Sequence, residues 1–320
     1  MARDGSEDPH TDTNLKPAFK AWRFNATTFV INEHKDSYDE QPLIYAKLLP
    51  GDEEMVIIDT GCGGATKDPK IDLKSLRTFI ETVQVRGNND KPLNEGGKMK
   101  YVIVLTHCHY DHILGVEQFA KDSTIVVSGH SPSFLAPEQL PSHSLCEDLH
   151  IRTPQYKPVL VPHLHEIQLR RDHSPGSSEG TPPRSGLVVL HTPGHTPDEL
   201  AVWDTNERVL FVGDTLYEYA HIIFPNEGSI VDWMHSVDLL LKIVGTEEAQ
   251  ICCGHVTAGR PAQEVLASTK AFIADVISGK EVVKRKFEKR GEINGEYVQD
   301  SKRYSLVCPE RLILEAREAQ

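Results

Sequence analysis

The sequence predicts a layered domain of the α/β or α+β class, and three observations lead to this prediction. Short apolar runs rich in β-branched residues recur along the chain, which is the pattern of strands. Amphipathic helical patterns lie between and after these runs. A chain of 320 residues, 39% hydrophobic and 25% charged, is long and apolar enough to bury a sizeable core.

The strand pattern occurs in eight places. The predicted strands are Thr28–Ile31, Leu43–Leu49, Met55–Ile58, Tyr101–Leu105, Thr124–Val127, Leu187–Leu190, Leu200–Trp203 and Val209–Val212.

Helical periodicity occurs in four places, one of them directly after the histidines at 107–112. Asp72 is predicted to cap the first helix, and Pro261 to begin the last one. The apolar faces are Leu73, Leu76, Ile80 and Val83 in the first helix, Ile230, Trp233, Val237, Leu240 and Val244 in the third, and Val265, Leu266, Thr269, Phe272, Ile273 and Val276 in the fourth.

No linker divides the chain convincingly, so residues 21–320 are predicted to form one domain behind a disordered or loosely attached N-terminus, residues 1–20. A loop-rich insertion is expected at about 131–186. Within it, Ser174–Gly186 is predicted to be a loop, and the segment Ser131–Arg171, rich in Pro and His, is expected to cover something.

The net charge and the cysteine content indicate which compartment and which kinds of partner to expect. A formal charge of -13 disfavours nucleic acid and anionic membranes, which leaves a small-molecule substrate as the expected partner. The 6 cysteines lack framework spacing, and no stretch of about twenty apolar residues or export signal is present. We therefore expect a soluble cytoplasmic protein, and a homo-oligomer is compatible with the sequence.

A dense group of potential metal ligands follows the predicted strand Tyr101–Leu105. His107, His109, Asp111 and His112 fall within six residues. In an extended chain His107 and His109 point to the same side, and a turn then brings Asp111 and His112 onto another face. Imidazole and carboxylate suit zinc, iron or manganese, so one loop can serve two metals. A fortuitous surface cluster of histidines is the alternative, and four such side chains in six residues disfavour it.

This stretch, Thr106-His107-Cys108-His109-Tyr110-Asp111-His112, resembles the HxHxDH motif of the metallo-β-lactamase superfamily. The resemblance continues through the PGHT turn at 193–196, the Gly-Asp pair at 213–214 and a later histidine. It implies that His107, His109 and His195 bind a first metal, that Asp111, His112 and His255 bind a second, and that Asp214 bridges the two. The implied cofactors are two divalent ions, with zinc the first choice and iron or manganese also suited.

The same resemblance implies the fold and a supporting residue. Asp59 matches an early D-x-G turn whose carboxylate orients liganding groups, although a plain strand-ending turn is the alternative. The implied fold is the α+β four-layer αββα sandwich of the metallo-β-lactamase fold, with the metals at one sheet edge. The resemblance covers about Val30 to Ile277 and leaves the tail beyond Lys280 unexplained.

Departures from the family pattern disfavour several branches. β-Lactamases of the family mostly have Cys or His where this chain has Asp214. The nucleases carry a large extra domain and a basic surface, and the flavin-linked diiron reductases append a flavodoxin module. This acidic sequence shows none of these features. Small-molecule hydrolases remain: lactonases, lactamases of unstrained rings, and thioesterases of the glyoxalase II type.

Two further features favour a cyclic substrate. Tyr217 stands at the position where similar quorum-quenching lactonases carry a tyrosine that faces the substrate carbonyl, and a core aromatic is the alternative. The runs Gly194-His195-Thr196-Pro197-Asp198 and Ile222–Gly228 resemble a group of fungal proteins of this fold, some of which open the ring of benzoxazolinones.

The function predicted is a dinuclear hydrolase (lactamase or lactonase) that opens a small cyclic amide, carbamate or ester by attack of a hydroxide held between two metals. Asp111, Asp214 and Tyr217 are the predicted catalytic residues, with Asp111 as a proton donor. An acyl-thioester hydrolase of the glyoxalase II type is the enzymatic alternative. A catalytically silent metal-binding scaffold is the non-enzymatic one.

Other chemically notable residues have plainer interpretations. Tyr219, His221, Ile223 and Phe224 are weighed as pocket lining against a buried loop and strand. Cys108 is predicted to be a packed thiol. The histidines at 143, 150, 163 and 165 are predicted to be loop or surface residues, and the basic run Lys284–Arg290 the solvated face of a helical stretch.

Overall fold

The computed structural model describes residues 16–49, 51, 53–168 and 184–319, which form three β-sheets and the helices that cover them. The strands are β1 Phe19–Arg23, β2 Thr28–Glu33, β3 Leu43–Leu48, β4 Glu54–Ile58, β5 Lys100–Val104, β6 Thr124–Ser128, β7 Pro158–Val161, β8 His165–Gln168, β9 Arg184–His191, β10 Leu200–Asp204, β11 Val209–Phe211, β12 His221–Ile223, β13 Gln250–Cys252, β14 Ala258–Pro261, β15 Arg285–Lys289, β16 Glu292–Val298 and β17 Ser305–Pro309. All eight predicted strands are confirmed, with shifts of up to three residues at their ends, the largest at the start of β9.

The helices of the described residues fall into short and long classes. They are α1 Leu76–Thr82, α2 Tyr110–Ile113, α3 Leu140–His143, α4 Ile230–Val244, α5 Ala262–Ser278 and α6 Glu310–Glu318. The two long predicted helices are confirmed as α4 and α5, the second beginning directly after Pro261.

The three sheets differ in strand direction. The first sheet has the order β1 to β7, antiparallel as far as β4 and parallel from β4 to β7. The second has the order β14-β13-β11-β10-β9-β8, and only β11 and β13 run parallel in it. The third, β12-β17-β16-β15, is built mostly from the C-terminal tail, which the family resemblance leaves unexplained.

Three apolar clusters define the layers. The central cluster combines side chains of the first sheet, such as Val56 and Val104, with those of the second, such as Val202 and Phe211, so the two sheets face each other. A second cluster packs α1 on the outer face of the first sheet. A third packs α4, α5 and α6 on the outer face of the second sheet. This order of layers is that of the predicted αββα sandwich.

The first helix begins later than the sequence indicated. Its N-cap is Ser75, whose Oγ accepts the Thr78 N–H at 3.1 Å, so the prediction of Asp72 as the cap was wrong. Leu73 is also outside the helix, because the backbone N–H groups of Asp72 and Leu73 donate to Lys16 O. The incoming N-terminal segment thus holds these residues in an extended conformation.

The N-terminus is described only from Lys16. Residues 16–20 belong to the predicted loose N-terminus, yet Ala18 N donates to Leu73 O at 2.9 Å and Phe19 is buried at the start of β1. Residues 1–15 of that prediction lie outside the described residues.

The segment predicted to be a loop-rich insertion carries regular structure. It contains α3 and contributes β7 to the first sheet and β8 to the second. The predicted loop Ser174–Gly186 was wrong at its end, because Arg184–Gly186 already belong to β9, where Arg184 pairs with Gln168 of β8. Its remaining residues, 174–183, lie outside the described residues.

The basic run in the tail was assigned to the wrong element. Arg285–Lys289 form strand β15, not a helical stretch, and pair antiparallel with β16. Lys286 and Glu288 point outward with the other charged side chains, and Phe287 is only half-buried. An exposed edge strand can be as highly charged as a helix face, so composition alone did not separate the two.

Among the residues described, no helix is long and apolar enough to cross a membrane. All six cysteines are buried and free.

Candidate metal centre

The predicted ligands come from loops that follow strands. His107 and His109 follow β5, and Asp111 and His112 lie in the short helix α2 that starts at Tyr110. His195 lies between β9 and β10, Asp214 three residues beyond β11, and His255 three residues beyond β13. Parallel pairing of β11 with β13 places the last two loops side by side.

Two glycines let these loops approach closely. A Cβ on Gly194 would lie 2.7 Å from the backbone Cα of Trp233, so the PGHT turn packs directly on α4. A Cβ on Gly254 would lie 2.3 Å from Asp214 Oδ1 and 2.7 Å from His112 Cε1. Glycine is therefore required at these two positions because a side chain would not fit beside the neighbouring atoms, and not because of the backbone angles.

His107, His109 and His195 form a first group, which we call the three-histidine cluster. His109 Nδ1 lies 3.0 Å from both His107 Nε2 and His195 Nε2, and all three side chains are buried. Burial lowers the pKa of each, to about 3 for His109, so the rings are neutral and their lone pairs are free to bind a metal.

Asp111, His112, Asp214 and His255 form a second group, the mixed cluster. His255 Nε2 lies 3.1 Å from Asp111 Oδ2, and His112 Nε2 lies 3.3 Å from Asp214 Oδ1. Burial opposes a charge on His112 and His255, but Asp214 and Asp111 outweigh it and raise the pKa of both rings well above the usual value. The carboxylates of the mixed cluster therefore stabilise positive charge placed among them.

Asp214 lies between the two clusters. Its Oδ1 faces His112 and His255, at 3.3 and 3.5 Å from their Nε2 atoms, and its Oδ2 lies 4.0 Å from His195 Nε2. One carboxylate oxygen thus points to each cluster, which is the arrangement needed to bridge two cations.

The donor atoms fit divalent metals. Within each cluster the potential ligand atoms lie within 4.8 Å of one another. His112 Nε2 and Asp214 Oδ1 are buried and have no hydrogen-bond partner, a costly state for polar atoms unless a cation binds them. All seven predicted ligands are brought together, and the described residues contain no other group of this kind.

Asp59 contacts the His112 ring on the side that faces away from the mixed cluster. Its Oδ2 lies 2.8 Å from His112 Nδ1, and its Oδ1 accepts the Thr106 N–H at 2.8 Å. The Thr106 hydroxyl also donates to Asp59 and lies 3.1 Å from His107 Nδ1. Because Nδ1 of His112 faces Asp59, its Nε2 faces the mixed cluster, where a bound metal would take the place of a proton.

Backbone carbonyls hold two other ligands. His195 Nδ1 donates to Ile223 O at 2.6 Å, and His255 Nδ1 donates to Glu40 O at 2.9 Å. The loop that carries Glu40 is itself fixed by Asp36, whose carboxylate accepts the N–H groups of Tyr38 and Gln41. No sequence signal marks these supports, because any residue supplies a carbonyl.

A largely apolar cleft of about 760 Å³ opens over both clusters. Tyr217 lines it, buried, with its ring 5.6 Å from that of His255. Of the residues weighed as lining, His221, Ile223 and Phe224 do line the cleft. Tyr219 does not, because its side chain turns outward and is 67% exposed.

Other cleft walls were not identified from the sequence. Leu145, Asp148 and Leu149 form one wall, so this described part of the segment 131–171 covers the site. Lys289, Arg290 and Asn294, from the β15–β16 hairpin, form another. No ligand-type motif marks either wall, since only the fold brings them to the cleft.

The remaining predicted residues lie elsewhere. Cys108 is buried in the apolar cluster outside the first sheet, as a packed thiol. His143 stacks on Phe134 with ring centroids 3.9 Å apart. The histidines at 150, 163 and 165 belong to neither metal cluster.

The family comparison matches the part of the chain that holds all seven ligands. The model of the metallo-beta-lactamase superfamily matches residues 44–255. By fold, the chain is similar to the DIM-1 metallo-beta-lactamase exposed to ceftazidime, at TM-score 0.52 and 14% identity over 80% of this chain and 96% of that one. It is also similar to a metallo-beta-lactamase family protein from Thermus thermophilus, at TM-score 0.53 and 15% identity over 81% of this chain and 84% of that one.

Two curated relatives extend the comparison. A protein of Aspergillus versicolor named putative transcription factor avaE is 32% identical over 316 residues, which cover 94% of this chain and 89% of the relative. The acyl-coenzyme A thioesterase MBLAC2 of Gallus gallus is 23% identical over 202 residues, or 62% of this chain and 66% of that protein.

Proposed function

The chain belongs to the metallo-β-lactamase superfamily, and we propose that it is a dinuclear metal-dependent hydrolase that opens a small cyclic amide, carbamate or ester. The observation that carries this proposal is the Asp214 carboxylate, with one oxygen toward each cluster. A bridged pair of divalent ions supplies Lewis acidity toward a carbonyl and toward water, which is the chemistry that hydrolysis requires.

The three-histidine cluster would hold one ion and the mixed cluster the other, with Asp214 shared. Neutral imidazoles and carboxylates form a donor set that zinc accepts readily and that iron and manganese also accept. Zinc is the metal we propose. Ligand type alone does not select it, so metal identity is a separate measurement.

Two residues are proposed to handle protons at the cleft floor. Burial, with the nearby Asp214 and Asp111 charges, raises the Tyr217 pKa well above its usual value, so its hydroxyl keeps its proton and donates to a carbonyl oxygen. Asp111 lines the cleft, and the neighbouring His112 and His255 outweigh its burial and lower its pKa. As an ionised carboxylate it would first accept the proton of the attacking water and then pass that proton to the leaving nitrogen or oxygen.

The cleft supports a small, mainly apolar substrate. Leu43, Leu149, Phe224 and Val307 contribute to its walls, and a volume of about 760 Å³ accommodates a substituted ring. The resemblance of Ile222–Gly228 to a group of fungal proteins that includes lactamases favours the same substrate class. The formal charge of -13 argues against a nucleic-acid role of the kind that the avaE name suggests.

Thioester hydrolysis is the second candidate, and one observation favours it. Vertebrate relatives, including the one from Gallus gallus, are named acyl-coenzyme A thioesterases. The same metal chemistry cleaves thioesters, so the distinction depends on the cleft walls rather than on the ligands.

A substrate panel tests the proposal. Metal-loaded protein is assayed on γ-lactones, γ-lactams, benzoxazolinone and acyl thioesters, beside Asp214→Ala and the exposed-site control Asp238→Ala. We expect turnover of a cyclic substrate that Asp214→Ala abolishes and Asp238→Ala retains. Turnover of thioesters alone would favour the second candidate, and full activity of metal-replete Asp214→Ala would contradict the scheme.

A further inference from the structure

The β15–β16 hairpin forms a wall of the cleft from outside the region that matches the family model, which ends at residue 255. From its contacts we propose that Arg290, in the turn of this hairpin, is a specificity-determining residue that fixes how long a substituent the cleft admits. This inference rests on the proposed hydrolase function and adds a residue to it that acts on substrate selection rather than on chemistry.

Arg290 joins three separate segments around the cleft. Its two terminal nitrogens donate to the two Glu227 carboxylate oxygens at 2.9 Å each, and its Nε lies 2.8 Å from Asp148 Oδ2. Glu227 belongs to the loop between β12 and α4, and Asp148 to the wall that also holds Leu145 and Leu149. A bidentate pair fixes direction as well as distance, so the three segments are held in one arrangement.

The backbone at Arg290 is held in an uncommon conformation. Lys289 pairs with Glu292, which leaves Arg290 and Gly291 as a two-residue turn with φ of +48° and +74°. Such turns favour Asn or Gly at the first position, because a long side chain is strained at positive φ. Asn226 Nδ2 donates to Arg290 O at 3.0 Å, so both the backbone and the side chain of Arg290 bind the same loop.

That loop connects Arg290 to the metal ligands. Ile223, whose carbonyl holds His195, lies three residues before Asn226, and Phe224 N donates to Val307 O at 2.9 Å. The loop is therefore held at its start by the strands beneath it and in its outer part by Arg290, together with Arg311, which donates to Asn226 O, and the Ser229 N–H, which donates to Gly194 O. Loss of the Arg290 side chain detaches Glu227 and Asp148 from the β15–β16 hairpin, while Ile223 stays in place.

The charge of Arg290 is already matched within the protein. Glu227 and Asp148 supply two carboxylates to one guanidinium, so the group has no unpaired positive charge to offer a substrate anion. Its contribution to selection is therefore the position of the wall, where Leu145 and Leu149 lie beside Asp148. A substituent that extends from the metal clusters toward this wall is limited by it.

The experiment compares Arg290→Ala with a matched control, Arg77→Ala. Arg77 makes the same kind of network, two bonds to Asp122 at 2.7 and 2.8 Å and one to Glu81 at 2.9 Å, with side-chain exposure of 26% against 23% for Arg290. It lies in α1 and does not line the cleft. The probes are γ-butyrolactone, γ-hexalactone and γ-decalactone, and the acetyl, hexanoyl and decanoyl thioesters of N-acetylcysteamine.

We expect Arg290→Ala to raise the ratio of kcat/KM for long over short substituents by about tenfold, because the wall no longer limits the length that the cleft admits. The change should appear in KM, with kcat little altered. Arg77→Ala keeps the wild-type ratio. Amide hydrogen exchange on the same proteins should quicken at 145–149 and 288–294 in Arg290→Ala only. Asp148→Asn, at an exposed position, removes one link and should show a smaller change of the same kind if Arg290→Ala folds poorly.

The two possible failures are distinguishable. Turnover by the wild type with an unchanged length ratio in Arg290→Ala and Asp148→Asn would overturn the role of Arg290 and leave the hydrolase proposal standing. Unchanged exchange at 145–149 would overturn it as well. No turnover by metal-loaded wild type of either series, nor of the γ-lactams and benzoxazolinone of the substrate panel, would refute the proposed function, and this inference with it.

Discussion

At the scale of single residues, Asp59 combines backbone strain with a supporting role. Its φ is +62°, a left-handed conformation uncommon outside glycine, and its buried carboxylate serves both Thr106 and His112. Such strain persists where surrounding contacts determine the conformation. The orientation of His112 therefore depends on a residue that is not itself a ligand.

We expect Asp59→Asn to weaken metal binding by roughly 10–100-fold, because an amide keeps the shape and tolerates the left-handed conformation but loses the charge that faces His112. Competition with a chromophoric chelator measures the change. Asp122→Asn, at an exposed surface pair, is the control and should bind as the wild type does. Wild-type affinity in Asp59→Asn would remove Asp59 from the account.

Glu33 gives a second residue-scale prediction, on pH. Burial raises its pKa from 4.5 to about 8, and its Oε2 has no hydrogen-bond partner. The folded chain thus keeps a proton that the unfolded chain releases, so Glu33 makes the free energy of unfolding fall as pH rises from about 4.5 to about 8, by roughly 3–5 kcal/mol.

Urea unfolding of wild type and Glu33→Gln across this pH range isolates the effect, because the metal ligands are common to both. Glu33→Gln should gain stability relative to wild type from pH 5 to pH 8 and then keep a constant difference. A stability difference that does not vary with pH would show that Glu33 is ionised in the folded protein.

Single residues were predictable from the sequence only where the side chain itself carries the chemistry. The seven potential ligands were predictable because side-chain identity at close spacing carries their chemistry. The carbonyls of Ile223 and Glu40, which hold His195 and His255, were not, because every residue has one. Ser75 instead of Asp72 caps α1, because long-range backbone pairing overrode the local preference.

At the scale of elements, a buried ion pair joins the two main sheets. Lys47 of β3 pairs with Asp204 of β10, with side-chain exposures of 4% and 0%, and Lys47 also donates to Thr27 Oγ1 at 2.7 Å. Breaking such a pair leaves a buried charge without a partner, which costs much more than the pair itself contributes.

We expect Lys47→Met to lower the free energy of unfolding by about 3–5 kcal/mol, since Asp204 then stays buried without a counter-ion, bound only by the N–H groups of Asn206 and Glu207. The double variant Lys47→Met with Asp204→Leu should be more stable than Lys47→Met alone. Urea midpoints measure both, and Lys280→Met, which removes an exposed pair with Asp275, is the control with little effect. A small change in Lys47→Met would show that water or a shifted side chain compensates Asp204.

Elements were predictable where their apolar pattern is long or regular. The eight strands and the helices α4 and α5 have such patterns, and all were found. The tail was not predictable, because β15 has the charged composition of a solvated helix face and is recognised only through its pairing with β16. The strands β7 and β8 were missed for a similar reason, since they are four residues each within a Pro-rich segment.

At the scale of the whole molecule, the layers bring distant parts of the chain to one cleft. Loops after β5, β9, β11 and β13 supply the clusters, while the third sheet and the segment before β7 supply walls. The superfamily fold therefore accounts for the ligands, and in our proposal the walls added around it determine substrate choice. Only the first of these could be read from motifs.

The number of metal ions bound per chain tests the central claim most directly. Wild type and Asp214→Ala are saturated with zinc, freed of weakly bound metal by gel filtration, and analysed for metal and protein content. We predict two ions per chain for the wild type and a clear loss in Asp214→Ala, because that carboxylate faces both clusters. Fewer than one ion per wild-type chain, or two ions retained by Asp214→Ala, would contradict the account.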